Sequence, residues 1–351
     1  MRQAFAYPLV PLSAAFFAPI FTIALCLCAL VAAPPLAAQQ AGKLTPARIA
    51  QSIVLIHADV PADAPSARRL GTERDGVGAV IRADGVADGH IVTIGYLITD
   101  ASAVEVTDHM GRKRAAQVVG FDQASGLGLI RLSGKADLPA LELGSSRGLE
   151  PRQPVIIAGG GSVDALQPAI VASVRPYAAS WEYMLDRAIF ASPPIERFGG
   201  APLLGADGTL IGIGSLLISD ALPGQAVPGN MFVPAELLRP VIGEMVASGR
   251  PKANRPWLGL NADELQKDGV LVIGNVSRDG PAAKAGLKRG DVVFGLAGKP
   301  IKGLTDFYKR LWSMGEPGVE VPLKVMQADG VRELRLQSGD RYKNMRAQPT
   351  Y

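Results

Sequence analysis

Apolar residues arrive in short bursts from Val77 onward, each burst closed by a turn residue. The runs are VGAVIRADG, HIVTIGYLIT, AVEVTDHMGRKRAAQVVGFD, GLGLIRL, QPVIIAGGG, PAIVASVRPY, DRAIFAS and GTLIGIGSLLI. Strands this short, with Gly and Asp between them, predict an all-β barrel or sandwich rather than a parallel α/β sheet. Ahead of them, residues 44–60 read as a short helix running into a strand, and residues 63–75 as a polar, mobile loop. The pattern then changes. Leu237, Leu238, Val241, Ile242 and Met245 fall at helical spacing and the run stops at Gly249. A Pro- and Lys-bearing linker, PKANRP, follows and marks a domain boundary near residue 250. Beyond it WLGL, GVLVIGNV, DVVFGLAG and VEVPLKVMQ are predicted strands, while GPAAKAGL and LTDFYKRLWSM are predicted helices, a small α+β module.

Composition supports this division. With 351 residues, 48% hydrophobic and 19% charged, the chain can fill two ordinary cores. Forty glycines and 27 prolines beside 6% aromatic residues favour strands and tight turns over a helical bundle. The first 38 residues fall outside the fold: a basic start at Arg2, a long apolar run and a small-residue exit at Leu36-Ala37-Ala38 read as an export signal. An uncleaved anchor facing the periplasm at the inner membrane is the alternative, and the only reason to expect membrane contact. Cys26 and Cys28 both lie in this segment, so the mature chain has no disulfide framework. The formal net charge of +4 is spread along the chain without a Lys/Arg block, which points away from nucleic acid. His57 sits in a strand without a second ligand at metal spacing, and nothing in the sequence asks for a metal or a cofactor.

Two stretches identify a family. PWLGL, then VIGNVSRDGPAAKAGLKRGDVVFGLAGKPIKGLTDF, resembles the PDZ domain of HtrA/Deg-type serine proteases; Trp257–Leu260 and Gly280–Val293 carry the match. Upstream, HIVTIGYLITDASAVEVTDHMGRKRAAQVVGFDQASGLGLIRL and LELGSSRGLEPRQPVIIAGGG resemble the trypsin-like domain of the same family. The resemblance implies a mostly β protein: a two-barrel trypsin-like domain over 39–250, an α+β PDZ domain over 251–341, and a tail over 342–351.

The same alignment puts the family's catalytic histidine on Tyr96, its aspartate on Gly126 and its serine on Gly199 of RFGGAPL. A serine hydroxyl attacks only when an imidazole takes its proton, and the imidazole needs a carboxylate to hold its tautomer. A phenol is a poor base near neutrality, Gly126 offers no acceptor, and Gly199 has no oxygen. Arg197 replaces a glycine of the oxyanion turn. Ser192 and Ser102 stand close in sequence to the lost positions but need a base, and His57, His90 and His109 are the only histidines. His90 is expected far from the cleft and His109 at a solvent-facing hairpin tip.

The PDZ-like module retains its binding loop. By resemblance, the N–H groups of Leu258, Gly259 and Leu260 capture a terminal carboxylate, and the peptide adds as a strand beside the one that follows. Phe307 and Leu311, at i and i+4, either close the side-chain pocket or belong to the core. Trp257 serves equally as groove wall or packing anchor, and Arg255 reads as a solvated linker residue, with charge attraction to the carboxylate as the alternative. The sequence therefore points to a catalytically inactive HtrA-like protein of the periplasm. It is expected to bind C-termini or unfolded segments as an adaptor, sensor or chaperone in envelope quality control. An active endopeptidase with another catalytic arrangement, and a structural subunit of a mixed trimer with an active homologue, are the alternatives.

Overall fold

A computed structural model describes residues 45–265 and 269–344. The export signal expected over residues 1–38 lies outside the described residues, as do residues 345–351 of the tail.

The chain enters through α1 (Pro46–Gln51), where the Thr45 hydroxyl accepts the Arg48 N–H and Pro46 occupies the first turn. Six strands then form the first barrel: β1 (Ile53–Asp59), β2 (Glu73–Arg82), β3 (His90–Ile94), β4 (Ala103–Thr107), β5 (Lys113–Phe121) and β6 (Leu127–Leu132). Their order is β1-β4-β5-β6-β3-β2, and β2 pairs back onto β1, so the sheet closes. A short strand, β7 (Leu141–Glu142), adds to β2 in parallel. The second barrel is closed as well, in the order β10-β13-β12-β11-β8-β9. It is built from β8 (Pro154–Ala158), β9 (Leu166–Ala179), β10 (Tyr183–Ser192), β11 (Pro202–Leu204), β12 (Leu210–Ile218) and β13 (Gly229–Pro234). Closure leaves no exposed ladder, and strands this short, several of them buried on both faces, are why the apolar runs read as short.

Two expectations need correction. Residues 63–75 are not a mobile loop: they hold a helical turn, α2 (Ala67–Leu70), and the start of β2. Arg74 in this stretch is 4% exposed and its guanidinium donates to the carbonyls of Gly71, Tyr96 and Thr99, a buried charge stitched into the backbone. The helix ahead of the linker is in two pieces, a 3-10 turn over Ala235–Leu238 and α4 (Ile242–Ser248), because Pro240 cannot continue the first. It does end at Gly249, whose φ of 76° is the left-handed cap.

The last module is a sheet in the order β14-β15-β16-β18-β19: β14 (Leu260–Glu264), β15 (Leu271–Val276), β16 (Val292–Leu296), β18 (Glu320–Gln327) and β19 (Gly330–Gln337), with β17 (Lys299–Pro300) beside β16. The short helix α5 (Pro281–Lys284) and the longer α6 (Leu304–Ser313) pack on it. The final strand, β19, was not anticipated. Its residues are nearly all exposed or half-buried and carry charge at Arg332, Glu333 and Arg335, the pattern of a solvated sheet edge. Within the core of this module lies Met184, which belongs to β10 of the second barrel. The β9–β10 hairpin thus reaches out of its own barrel and packs against the next domain.

Candidate functional site

The three degenerate positions converge. Tyr96 lies in a helical turn, α3 (Gly95–Ile98), whose end is held by the Arg74 guanidinium on the Tyr96 carbonyl at 2.7 Å. A Cβ built on Gly199 would stand 2.9 Å from the Tyr96 hydroxyl. The Gly126 carbonyl accepts the Gly95 N–H at 2.7 Å, beside the start of that same turn. The three residues to which the resemblance assigns the triad stand close together, and none of them is a histidine, a carboxylate or a serine. The Tyr96 hydroxyl is spent as a donor to the Ser215 carbonyl at 3.0 Å, and burial pushes the phenol far above its ordinary range, so it neither accepts a proton nor ionises at neutral pH. The space beside Gly126 is filled by Tyr183: a Cβ there would meet its ring at 3.3 Å, and its hydroxyl donates to the Ser125 carbonyl at 2.6 Å. Gly200 follows with φ of 76°, pressed so closely on the Val77 carbonyl and Thr93 hydroxyl that no Cβ fits.

The replacement groups are engaged elsewhere. Ser192 donates to the Pro228 carbonyl and Ser102 to the Asp59 carbonyl. His57 sits between Asp75 and Asp59, at 2.8 and 3.5 Å, on an exposed strand face, and its pKa is raised chiefly by the Asp75 hydrogen bond. His90 is 2% exposed and meets the Ala87 carbonyl at 2.7 Å. His109 is not at a solvent-facing tip as expected: it is half-buried, its backbone against Gly161, with Nδ1 enclosed.

The carboxylate loop of the last domain is intact and holds a carboxylate. Glu182, in the turn between β9 and β10, places Oε1 2.7 Å from the Gly259 N–H and 2.9 Å from the Leu260 N–H, while Oε2 accepts from Leu258 at 2.9 Å. Glu182 is 6% exposed. Burial pushes its carboxyl upward; the three N–H donors and the Arg341 guanidinium pull the other way. Arg341 also donates to the carbonyls of Trp181 and Glu182 at 3.1 and 3.4 Å. On one side of the turn the Ser180 carbonyl accepts the β14 N–H of Ala262 at 3.0 Å. On the other, the Tyr308 hydroxyl of α6 donates to the Ala179 carbonyl at 2.8 Å and accepts the Glu182 N–H at 3.0 Å. The turn therefore sits between β14 and α6, where the resemblance places a bound peptide. Glu182 has φ of 57°, a left-handed conformation that costs a non-glycine residue about 1 kcal/mol.

The other predicted groove residues divide. Gly259 takes φ of 80°, turning successive N–H groups inward. Phe307 and Leu311 are fully buried in the domain core with Leu258 and Leu260 and present no surface in this state. Trp257 is an anchor, exchanging backbone hydrogen bonds with Gly339. Arg255 is no solvated linker residue: its guanidinium lies 4.2 Å from the centre of the Trp312 ring and burial lowers its pKa. Sequence reasoning missed Glu182, Tyr308 and Arg341. The one available signal was a Glu in a tight SWEY turn, where Gly or Asn is usual.

Residues 76–213 match the trypsin-like peptidase domain family and residues 256–337 the PDZ domain family. Fold and site together define a trypsin-like peptidase domain joined to a PDZ domain. Relatives narrow the class. The chain is 30% identical over 261 residues to a probable periplasmic serine endoprotease DegP-like of Pseudomonas fluorescens, covering 70% of this chain and 53% of that protein. It is 30% identical over 271 residues to the serine protease Do-like HtrA of Lactobacillus helveticus, covering 70% and 64%. The chain thus spans between half and two thirds of the length of the curated relatives it matches. Among solved structures, the HtrA-type protease AlgW with decapeptide superposes with a TM-score of 0.52 at 22% identity, over 87% of this chain and all of that one. The chain belongs to the HtrA/Deg-type family.

Proposed function

We propose that this chain is a catalytically inactive HtrA-type protein of the cell envelope, working through its PDZ domain on peptide C-termini or unfolded segments as an adaptor, sensor or chaperone. The observation that carries the reading of lost catalysis is that a Cβ at Gly199 would stand beside the Tyr96 hydroxyl, a nucleophile position without an oxygen facing a base position without a base. Retention of peptide binding rests on the Leu258–Leu260 loop, whose three N–H groups converge on a carboxylate. Export is supported by the periplasmic relatives and by the N-terminal segment; no helix among the described residues is long and apolar enough to cross a membrane.

The test of inactivity is labelling with a fluorophosphonate alongside digestion of an unfolded protein substrate. Neither label nor cleavage is expected from the purified protein. A labelled serine, mapped by mass spectrometry, would overturn the reading and identify the missing nucleophile.

A further inference from the structure

The carboxylate loop is occupied by the protein itself. We propose that Glu182 is a built-in ligand of the PDZ domain, so that a chain ending in a free α-carboxylate binds only by displacing the tip of the β9–β10 hairpin. This inference rests on the peptide-binding reading above and adds its regulation.

The contacts at the turn are those a peptide C-terminus would make. A carboxylate accepts hydrogen bonds from Leu258, Gly259 and Leu260, and such charge-assisted bonds are the strong ones. A backbone carbonyl, that of Ser180, pairs with Ala262 on the free side of β14, as the first ladder bond of an added strand does. The tip is clasped from the far side by the Tyr308 hydroxyl, which bonds both Ala179 and Glu182. Loop and hairpin come from different domains, with Glu182 76 to 78 residues ahead of its three donors. The arrangement is a docked ligand tethered through the chain.

Three features make it displaceable. The carboxylate is on a side chain, so Tyr183 continues the chain where a true C-terminus would stop. The turn holds Glu182 at a φ of 57°, a conformation released when the tip leaves. The outlying ion pair that also spans the contact, Lys309 with Asp186 at 3.6 Å, is exposed and weak. A tethered group acts at roughly millimolar effective concentration, enough to exclude a micromolar peptide unless that peptide binds well. With the loop free about a tenth of the time, the apparent Kd of a peptide rises about tenfold.

The test uses the full chain as wild type, Glu182→Gln and Glu182→Ala. Amide hydrogen exchange is followed at Leu258, Gly259 and Leu260, with β18 and β19 as a folding control. Binding is followed by anisotropy with fluorescein-labelled decapeptides ending in Val, Leu or Phe, each as free acid and as C-terminal amide. The expected result is slow exchange at the three amides in the wild type, fast exchange in Glu182→Ala, intermediate exchange in Glu182→Gln, whose amide oxygen still accepts, with β18 and β19 unchanged, and free-acid peptides bound about tenfold more tightly by Glu182→Ala. Equal protection of the three amides in all forms would overturn the inference, because Glu182 would not be their partner. Equal peptide affinity in all forms would also overturn it while leaving the peptide-binding reading intact. Fast exchange in Glu182→Ala with no free-acid peptide bound by any form would instead remove the peptide-binding reading, and a displaceable ligand with it. Amides bound as tightly as acids would show that the loop is not the peptide's site, and would overturn the inference.

Discussion

Replacing Tyr308 with Phe isolates the seam between the two domains. The ring is fully buried and stacks on Trp312 at 5.1 Å, and Phe keeps that volume. Only the hydroxyl is lost, and with it the partner of the Ala179 carbonyl and of the Glu182 N–H. An unsatisfied buried polar group costs about 1–3 kcal/mol. Two such groups in one small seam, partly relaxing together, give a loss of about 2 kcal/mol, near thirtyfold in the folding equilibrium. The assay is urea denaturation, reading the shift of the midpoint at unchanged slope. Tyr342→Phe is the control: its hydroxyl accepts the Gln123 N–H at 2.9 Å, but the residue is half-buried and water replaces the bond, so a loss of at most about 1 kcal/mol is expected. If Tyr308→Phe loses less than about 0.5 kcal/mol, the hairpin tip is not seated against α6 in solution and the account of the seam fails. A steeper or split transition would mean that the domains separate before either unfolds.

Other outcomes follow from single sites. Phe307→Ala should destabilise the PDZ domain by about 3–5 kcal/mol through a core cavity, visible as early loss of its tryptophan signal on heating; a wild-type midpoint would mean that Phe307 lines an open groove. Gly249→Ala forces a side chain into φ of 76° and should cost about 1 kcal/mol by thermal denaturation, since only the helix cap is strained. His90 is kept neutral by burial, which lowers its folded pKa, while the unfolded chain takes up a proton near the ordinary value of 6.5. Its contribution is therefore present above about pH 6.5 and is lost as pH falls from there toward the lowered folded value. His90→Gln should flatten the stability profile in that window relative to the wild type, and parallel profiles would refute the assignment.

The barrels were legible because their strands are short apolar runs closed by turn residues, several of them, such as His90–Ile94 and Gly229–Pro234, buried on both faces. Tyr96, Gly126 and Gly199 were singled out because family-like motifs surround them, and the structure places Tyr96 beside Gly199 and Gly126 beside the start of α3. What escaped depended on docking. Glu182 and Tyr308 look like a polar hairpin residue and a helix-face aromatic, and only their distant partners give them meaning. Arg74 escaped for a related reason: its polar neighbourhood reads as loop until the carbonyls of α3 are folded over it. The edge strand β19 was hidden by its own solubility.

Glu182 and Tyr183 are neighbours in sequence, yet one is addressed to the PDZ loop and the other to the space beside Gly126. Glu182 stands in the turn with a left-handed φ of 57° and Tyr183 opens β10, so one non-extended residue keeps the two messages apart across a single peptide unit. The backbone conformation of this turn is therefore as much a determinant of the protein as the identity of the residues it carries.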